Sequence, residues 1–315
     1  MDSSHCQRSR YTVITAPRLR FKPLTIADIP LVRPYLTAAT GRTCDYTVGG
    51  LFMWAGYFND SYAILNDTLY IKGVTEDDVT RPAFSLPVGK AGLEEAVDVL
   101  REYCEATDSE PLTLSAVPEV YVEPLMLLGA TRAVPLDDWS DYLYDAQTLA
   151  TLTGKPMSKK RNHVNRFAIE RPGYTFEPIT PQNIGAVTEF YKGCELALSK
   201  PVLAEVERTR VLEVLAHPVE FGFEGAVLSV PGEGIVAFTM GEVIGDTLYV
   251  HIEKMRHDIA GAGETVNKLF ADMMTRRHPG IRYINREEDT GDPGLRHAKQ
   301  SYHPAMLLRK YNVIF

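Results

Sequence analysis

Residues Phe21–Val32 read FKPLTIADIPLV, and residues Phe176–Val187 read FEPITPQNIGAV. The two stretches align without a gap, 155 residues apart, with Phe, Pro, Thr, Ile and Val identical. Tyr35 and Phe190 continue the same register. Self-similarity at about half of the chain length predicts two copies of one domain.

Each copy begins with the same local pattern. A short strand leads to Thr25 or Thr180, a residue type that caps helix starts, and apolar residues follow at helical spacing. In the second copy, turn signals separate three strands and indicate an antiparallel meander. The predicted helices cover about 182–198, 203–216, 262–277 and 293–300, and the predicted strands cover 225–230, 235–243, 247–255, 281–285 and a segment ending at Phe315.

The first copy predicts a similar order of shorter elements, but without an equally rich set of polar residues. We therefore expect a flexible tail over residues 1–17, a supporting domain over 18–150, and a domain with the functional site over 151–315. A chain of 315 residues exceeds the size at which one core usually stops growing, which also favours two domains.

The composition excludes several classes of protein. Hydrophobic residues make up 45% and charged residues 23% of the chain, as in globular proteins. The net charge of −8 disfavours a surface coated for nucleic acid, so any such contact must be local. No apolar run reaches the roughly 20 residues of a membrane helix and no signal peptide is evident, so we expect a cytoplasmic protein without integral membrane association.

Four cysteines, Cys6, Cys44, Cys104 and Cys194, lie far apart without a CxxC pair. This spacing predicts neither a zinc site nor a disulfide framework. We expect reduced and mostly buried thiols.

Several segments resemble a known family. They are Lys159–Phe167 (KKRNHVNRF), His251–Lys254 (HIEK), Asn285–Asp289 (NREED) and Ser301–Pro304 (SYHP). Together with the order of elements, they resemble the phosphatidylglycerol lysyltransferase C-terminal-like family, whose largely uncharacterised bacterial members have two tandem domains of the Gcn5-related N-acetyltransferase (GNAT) fold. Cys44–Thr47 and Trp54 fit the same family, and the resemblance covers most of residues 20–315.

The resemblance implies an α+β protein of two tandem acyl-CoA N-acyltransferase (GNAT)-like domains, each with a mixed, mostly antiparallel sheet flanked by helices. It also implies an acyl or aminoacyl donor. The better-known lysyltransferases move an amino acid from aminoacyl-tRNA to a lipid head group and carry a membrane domain, and these 315 residues contain no such segment. The resemblance therefore does not fix the acceptor as a phospholipid.

A candidate base lies on the strand predicted over 247–255. Because residues two apart on a strand share a face, we expect Tyr249, His251 and Glu253 to project together. Acyl transfer needs a group that takes the proton of the nucleophile, and a carboxylate on this strand often does so in the resembled fold. We assign the base to Glu253 first and His251 second, against the alternative of an ordinary polar pair on a sheet surface.

A glycine turn follows that strand. Gly261, Ala262 and Gly263 open a helix whose free N–H groups favour an anion, and the resembled fold holds the pyrophosphate of coenzyme A at this place. Glu264 opposes this interpretation, since its carboxylate would compete for the same N–H groups. A glycine turn before a helix is also common without any ligand.

A basic segment stands out in this acidic chain. Residues 155–171 carry six Lys or Arg residues against Glu170 alone. Lys159, His163 and Arg166 fall on one helical face that could bind the phosphates of a tRNA. The alternative is a solvated helix between the two domains.

Three further positions are candidate site residues. Tyr302 lies where the resembled fold often has a tyrosine that protonates the leaving group, although it could equally be a tyrosine at the edge of the core. Asn285 and Arg286, at the end of a strand, are candidate substrate contacts. The acidic loop over residues 287–292 could suit Mg²⁺, but solvated charge and helix-start acids explain it better, so we expect no metal.

These observations favour an acyltransferase without a permanently bound cofactor. The donor would be aminoacyl-tRNA or acyl-coenzyme A, and the acceptor an amine or hydroxyl of a small molecule or peptide. A non-catalytic ligand-binding module with the same cleft is the alternative.

Overall fold

The computed structural model of the chain describes residues 18–39, 41–107, 111–194 and 201–315. It contains two mixed β-sheets with helices packed against them, which confirms the predicted α+β class. The tail predicted over residues 1–17, Cys6 among them, lies outside the described residues, as does part of the helix predicted over 182–198.

The first sheet has eight strands. In chain order they are Lys22–Pro23 (β1), Ser61–Leu65 (β2), Thr68–Val74 (β3), Pro82–Phe84 (β4), Val88–Gly89 (β5), Thr113–Pro118 (β6), Arg132–Pro135 (β7) and Lys310–Ile314 (β15). Their spatial order is β1-β2-β3-β4-β6-β15-β7, with β5 paired to β3.

The second sheet has seven strands. They are Asp141–Asp145 (β8), Thr175–Pro178 (β9), Glu224–Val230 (β10), Gly234–Ile244 (β11), Thr247–Met255 (β12), Tyr283–Asn285 (β13) and Met306–Leu308 (β14). Their spatial order is β14-β8-β13-β12-β11-β10-β9. The predicted meander is β10 to β12, and its two turns cover residues 231–233 and 245–246.

Eleven α-helices lie in the described residues. They are Ile29–Ala38 (α1), Val48–Phe52 (α2), Leu93–Ala106 (α3), Val122–Leu127 (α4), Ala146–Thr151 (α5), Ser158–Glu170 (α6), Ile184–Lys192 (α7), Pro201–Ala216 (α8), Pro218–Phe221 (α9), Ala262–Arg277 (α10) and Pro293–Gln300 (α11). Among the described residues, no helix is long and apolar enough to cross a membrane.

The two sheets exchange strands. Strand β8, from the first half of the sequence, pairs with β13 and β14 in the second sheet. Strand β15, from the end of the chain, pairs with β6 and β7 in the first sheet. The sheets therefore do not coincide with the ranges 18–150 and 151–315, and the division into two domains stays a prediction.

The two similar stretches begin in the same way. Asp28 Oδ2 accepts a hydrogen bond from the Thr25 N–H at 3.1 Å, and Asn183 Oδ1 accepts one from the Thr180 N–H at 2.7 Å. Asp28 and Asn183 are equivalent positions in the alignment, so the sequence match corresponds to a local structural match.

The largest core cluster lies between the two sheets. It combines apolar residues of α1 and α2 with those of α7, α8 and the meander, including Val32, Phe52, Val187, Phe238 and Ile252. Other clusters cover the outer faces, with α3 and α4 on the first sheet and α5, α6 and α10 on the second. The first and second halves of the chain are therefore joined by a continuous apolar interior.

Candidate active site

A bulge in strand β12 decides which side chains share a face. Met240 pairs with Ile252 and Gly241 pairs with Val250, so His251 is an extra residue without a partner on β11. A one-residue slip moves all following side chains to the opposite face. Tyr249 and His251 share a face as predicted, with their rings stacked 6.3 Å apart, but Glu253 does not lie with them. Its side chain points to α10, while His251 points away from that helix.

Glu253 lies in a network on the α10 side of the second sheet. Arg286 Nη2 donates to its Oε1 at 2.7 Å, and Asn267 Nδ2 donates to its Oε2 at 3.2 Å. The side chains of Glu253 and Arg286 are each 13% exposed. Thr239 is the direct cross-strand partner of Glu253, so its side chain lies on the same face.

Tyr302 lies beside this network. The guanidinium of Arg286 is 4.9 Å from the centre of its ring, and the ammonium of Lys160 is 4.1 Å from it. Burial raises the pKa of Tyr302 above its usual range, although Arg286 opposes this shift. The phenol therefore stays protonated at neutral pH and can donate a proton.

The Glu253 network lies where two parallel strands separate. The pairing of β12 with β13 ends at Tyr249 and Asn285, whereas β12 continues to Met255. Arg286 follows β13 directly and reaches across the gap to Glu253. Backbone groups of Ile252–Lys254 on this side of β12 therefore lie beyond the paired part of the ladder.

His251 lies on the other face of the bulge, in a closed environment. Its Nε2 is 3.0 Å from Glu242 Oε1 and its Nδ1 is 2.7 Å from Glu287 Oε1, and its side chain is 0% exposed. Burial lowers the pKa of this imidazole, but hydrogen bonds to Glu242 and Glu287 outweigh burial and raise it to about 9. With both nitrogens bonded, His251 has no free atom for a substrate.

Asn285 is likewise fully occupied. Its Nδ2 donates to Asp141 Oδ2 and to the Arg42 carbonyl, both at 2.7 Å, and its Oδ1 accepts from the Glu287 N–H. The side chain is 0% exposed. Asn285 therefore holds the strand end in place, and only Arg286 of the predicted substrate contacts lies in the Glu253 network.

Helix α6 covers the glycine turn. Gly261 has φ +83°, and a Cβ there would lie 2.8 Å from the His163 carbonyl oxygen. Glu264, in the first turn of α10, lies 3.4 Å from Lys160 Nζ and 3.0 Å from His163 Nδ1. The glycine turn thus lets α10 approach α6 closely, and the positive N-terminal end of α10 already faces the carboxylate of Glu264.

The predicted basic face is present on α6. Lys159, His163 and Arg166 are all exposed, whereas Phe167, one helical turn after His163, is buried. Arg166 Nε donates to Glu170 Oε1 at 2.6 Å. Lys160, which was not among the predicted contacts, is the residue of α6 that reaches Tyr302.

The acidic loop does not form a common cation site. Glu287 binds His251, Glu288 lies against Lys310, and Asp289 accepts from Tyr142 and Arg296. Asp292 accepts from the Leu295 N–H at 2.8 Å and caps α11. These carboxylates therefore have separate partners.

A second polar cluster, which the sequence did not predict, is buried between the sheets. Lys310 Nζ lies 2.7 Å from Asp141 Oδ1, 2.9 Å from Asp45 Oδ2 and 3.5 Å from Cys44 Sγ. Cys44, Asp141 and Glu288 could in principle hold a metal ion. The ammonium of Lys310 already supplies the positive charge there, and the nearby carboxylates raise its pKa well above the usual range despite burial.

A cavity of about 50 Å³ adjoins the second cluster. Its lining combines aromatic residues with carboxylates, including Trp54, Phe58, Asp60 and Glu76. Burial raises the pKa of Asp60 to about 8 and that of Glu288 to about 7. The three described cysteines are free, with Cys44 and Cys104 buried and Cys194 half-buried.

Comparison with known proteins identifies the class to which this fold and site belong. The family model for the C-terminal part of phosphatidylglycerol lysyltransferase matches residues 38–314. The chain is a member of this family. No functionally curated protein matches the sequence.

Solved structures share the fold. A conserved protein of unknown function from Bacteroides thetaiotaomicron is 30% identical, with a TM-score of 0.82, over 94% of this chain and 99% of that one. L-PGS from Bacillus licheniformis is 14% identical, with a TM-score of 0.59, over 90% and 91% of the two chains. FemX is 10% identical, with a TM-score of 0.58, over 94% and 97%.

Proposed function

We propose that the chain is an aminoacyltransferase that uses aminoacyl-tRNA as donor and transfers the aminoacyl group at Glu253. Membership of the lysyltransferase family and the shared fold of L-PGS and FemX support a transferase of this kind. An aminoacyl-tRNA donor would place the reaction in the cytoplasm. The acceptor would be an amine or hydroxyl of a small molecule or peptide.

One observation carries the choice of donor. Helix α6 exposes Lys159 and Arg166 to solvent, while the next lysine, Lys160, extends to Tyr302 beside the Glu253 network. A single helix thus joins an exposed cationic surface to the candidate site, as a donor with a phosphate backbone requires. The contact of α6 with Gly261 leaves less room for the pyrophosphate of acyl-coenzyme A, which is the second candidate donor at Gly261–Gly263.

Each group of the network has a role in this reaction. Glu253 would take the proton from the attacking amine or hydroxyl. Arg286 Nη1, which is buried without a hydrogen-bond partner, and backbone N–H groups near Ile252–Lys254 would bind the carbonyl oxygen as negative charge develops. Tyr302 would return a proton to the departing hydroxyl of the tRNA.

We also infer that the fold consists of two tandem GNAT-like units. The first sheet, starting at β1, and the second sheet, starting at β9, have the same order of strands. Each has a short edge strand, then three meander strands, then a strand that runs parallel to the last meander strand. The next strand in each sheet comes from the other half of the chain. Duplication followed by exchange of one strand accounts for this order.

The test is product formation with aminoacyl-tRNA and with acetyl-coenzyme A, over a panel of small amines and alcohols. Glu253→Gln should reduce turnover at least about 100-fold while the protein still binds the donor, because the substitution removes the base but keeps the shape. Glu207→Gln is the matched control, since Glu207 is 15% exposed and pairs with Lys254 on the opposite face of β12. Full turnover by Glu253→Gln would refute the role of Glu253.

A wild-type protein that binds donor but forms no product with either donor class would support the alternative function, a non-catalytic binding module with the same cleft. Thermal-shift measurements with coenzyme A, acetyl-coenzyme A and aminoacyl-adenylate analogues separate the donors, because a bound ligand raises apparent stability. A shift with coenzyme A alone would overturn the aminoacyl-tRNA proposal.

A further inference from the structure

Three buried polar atoms around Glu253 have no hydrogen-bond partner. They are Thr239 Oγ1, Asn267 Oδ1 and Arg286 Nη1, among nine such side-chain atoms in the described residues. Thr239 is 0% exposed and Asn267 is 4% exposed. Because a buried polar atom without a partner destabilises a folded protein, a group of them at one place calls for a ligand or an ordered water.

The three atoms belong to side chains that converge on one carboxylate. Asn267 and Arg286 each donate to a different oxygen of Glu253. Thr239 lies directly opposite Glu253 on the neighbouring strand, where side chains are neighbours on the same face. The unpartnered atoms therefore surround the candidate base.

Their chemistry is asymmetric. The Asn267 carbonyl and the Thr239 hydroxyl oxygen can accept hydrogen bonds, next to the negative charge of Glu253, whereas Arg286 Nη1 can only donate. An α-aminoacyl group presents an ammonium one carbon away from a carbonyl oxygen, which matches two acceptors beside one donor. A simple acyl group has the carbonyl but lacks the ammonium.

We propose that Thr239 and Asn267 bind the α-amino group of the donor while Arg286 Nη1 binds its carbonyl oxygen. Thr239 and Asn267 are then specificity-determining residues that select aminoacyl over simple acyl donors. This inference rests on the proposed function, since it assigns the donor to the same site. A site built to bind an N–H group rejects an analogue without it, because the protein acceptors remain unpaired.

Small probes test the inference without any turnover. The affinities of the full chain for alaninamide, N-acetylalaninamide and propionamide are measured by ligand-observed NMR or calorimetry. We expect alaninamide to bind about tenfold more tightly than propionamide, the effect of one charge-assisted hydrogen bond. N-acetylalaninamide should bind no better than propionamide.

The variants Thr239→Val and Asn267→Leu keep the approximate shape and remove the acceptors. In each variant, the affinities for alaninamide and propionamide should lie within about twofold of each other. Thr43→Val is the matched control, since Thr43 is 2% exposed, has an equally unpartnered Oγ1 and lies outside the Glu253 network. It should keep the full preference.

Thermal stability provides a second readout. Removing a hydroxyl that has no partner should leave the melting temperature of Thr239→Val unchanged or raise it, so loss of the preference could not be attributed to unfolding. Equal binding of alaninamide and propionamide by the wild type would overturn the inference. So would a Thr239→Val variant that melts earlier yet keeps the preference, because an ordered water would then occupy these atoms.

The two proposals fail in different ways. Preference for alaninamide in a protein that forms no product would refute the proposed function and support the inference. Product formation by a protein that binds the probes without preference would support the function and refute the inference.

Discussion

Gly49 in the first half of the chain lies directly against the imidazole of His251 in the second half. A Cβ at Gly49 would come within 2.3 Å of Cδ2 of that ring. The Gly49 N–H also donates to Glu242 Oε1 at 2.8 Å, the same oxygen that lies 3.0 Å from His251 Nε2. The two halves thus meet through a contact that tolerates no side chain.

We predict that Gly49→Ala destabilises the protein. The imidazole is held by two carboxylates and cannot move aside, so the methyl group must displace the backbone, at a cost of about 1–3 kcal/mol. Gly185→Ala is the control, since Gly185 is an exposed residue of α7 where an added methyl group would have no atom within 4 Å. This variant should gain up to about 1 kcal/mol in free energy of unfolding, because alanine favours a helix more than glycine does. Urea denaturation measures both, and equal stability of Gly49→Ala and the wild type would contradict this prediction.

His251 should make stability dependent on pH in the alkaline range. Its pKa is raised to about 9 in the folded chain, from a usual value of 6.5. The stabilisation is complete below about pH 6.5 and is lost as the pH rises through 9, and it amounts to about 3 kcal/mol. Glu242 and Glu287 are the charged groups that face the ring.

The measurement is the free energy of unfolding between pH 6 and 10 for the wild type and His251→Gln. The difference between the two curves should shrink over this range. In NMR spectra, the His251 imidazole, assigned by its absence from the variant, should titrate near pH 9. A titration midpoint near pH 6.5 would show that Glu242 and Glu287 do not stabilise the proton on His251.

Asp60 should weaken the fold at neutral and alkaline pH. Burial raises its pKa to about 8, so the folded chain retains a proton that the unfolded chain releases above about pH 4. Stability is therefore lost as the pH rises from 4 to 8. Asp60→Asn should raise the free energy of unfolding at pH 8 by roughly 2–3 kcal/mol, about half of the full effect because the residue is only half-buried.

The same comparison at pH 4 should show little difference between Asp60→Asn and the wild type. Asp67→Asn serves as control, because Asp67 is exposed and its backbone, at φ +54°, suits asparagine. Its effect should stay within about 0.5 kcal/mol at both pH values. If Asp60→Asn gave no gain at pH 8, the carboxyl would be solvated in the cavity.

Local pattern explains why much of the second half was predictable. The sequence predicts β12 at 247–255 and α10 at 262–277, and the structure has Thr247–Met255 and Ala262–Arg277. These elements have clear apolar periodicity and are bounded by glycine turns. Glu253 lies on β12, and Arg286 and Tyr302 come just after the predicted strand and helix at β13 and α11, so these three site residues could be placed from the sequence.

The features that sequence reasoning missed depend on pairings between distant segments. Nothing in the local pattern of β8 or β15 indicates that each joins the sheet of the other half. The bulge at His251 is a one-residue change of register, which a strand pattern does not reveal. The Asp141–Lys310 pair had one signal, a charged residue at the first position of each of two strands, β8 and β15. The sequence does not show that these two residues are partners of one another.

The basic face of α6 gives the most direct test of tRNA binding. Lys159 and Arg166 are exposed and only Arg166 has an ion-pair partner among the described residues, on its own helix, so changing both to Glu should abolish tRNA binding without unfolding the chain. Each phosphate contact contributes roughly 0.7–0.9 to the slope of log affinity against log salt, so losing two should flatten that slope by about 1.5. The matched control changes Arg81 and Arg132, two exposed residues of the first half, to Glu, with the same change in net charge. Filter binding at several salt concentrations measures the tRNA affinity of the wild type, the α6 variant and the control. If the wild type binds weakly, and neither salt nor the α6 substitutions change its affinity, α6 is a solvated connector between the two halves.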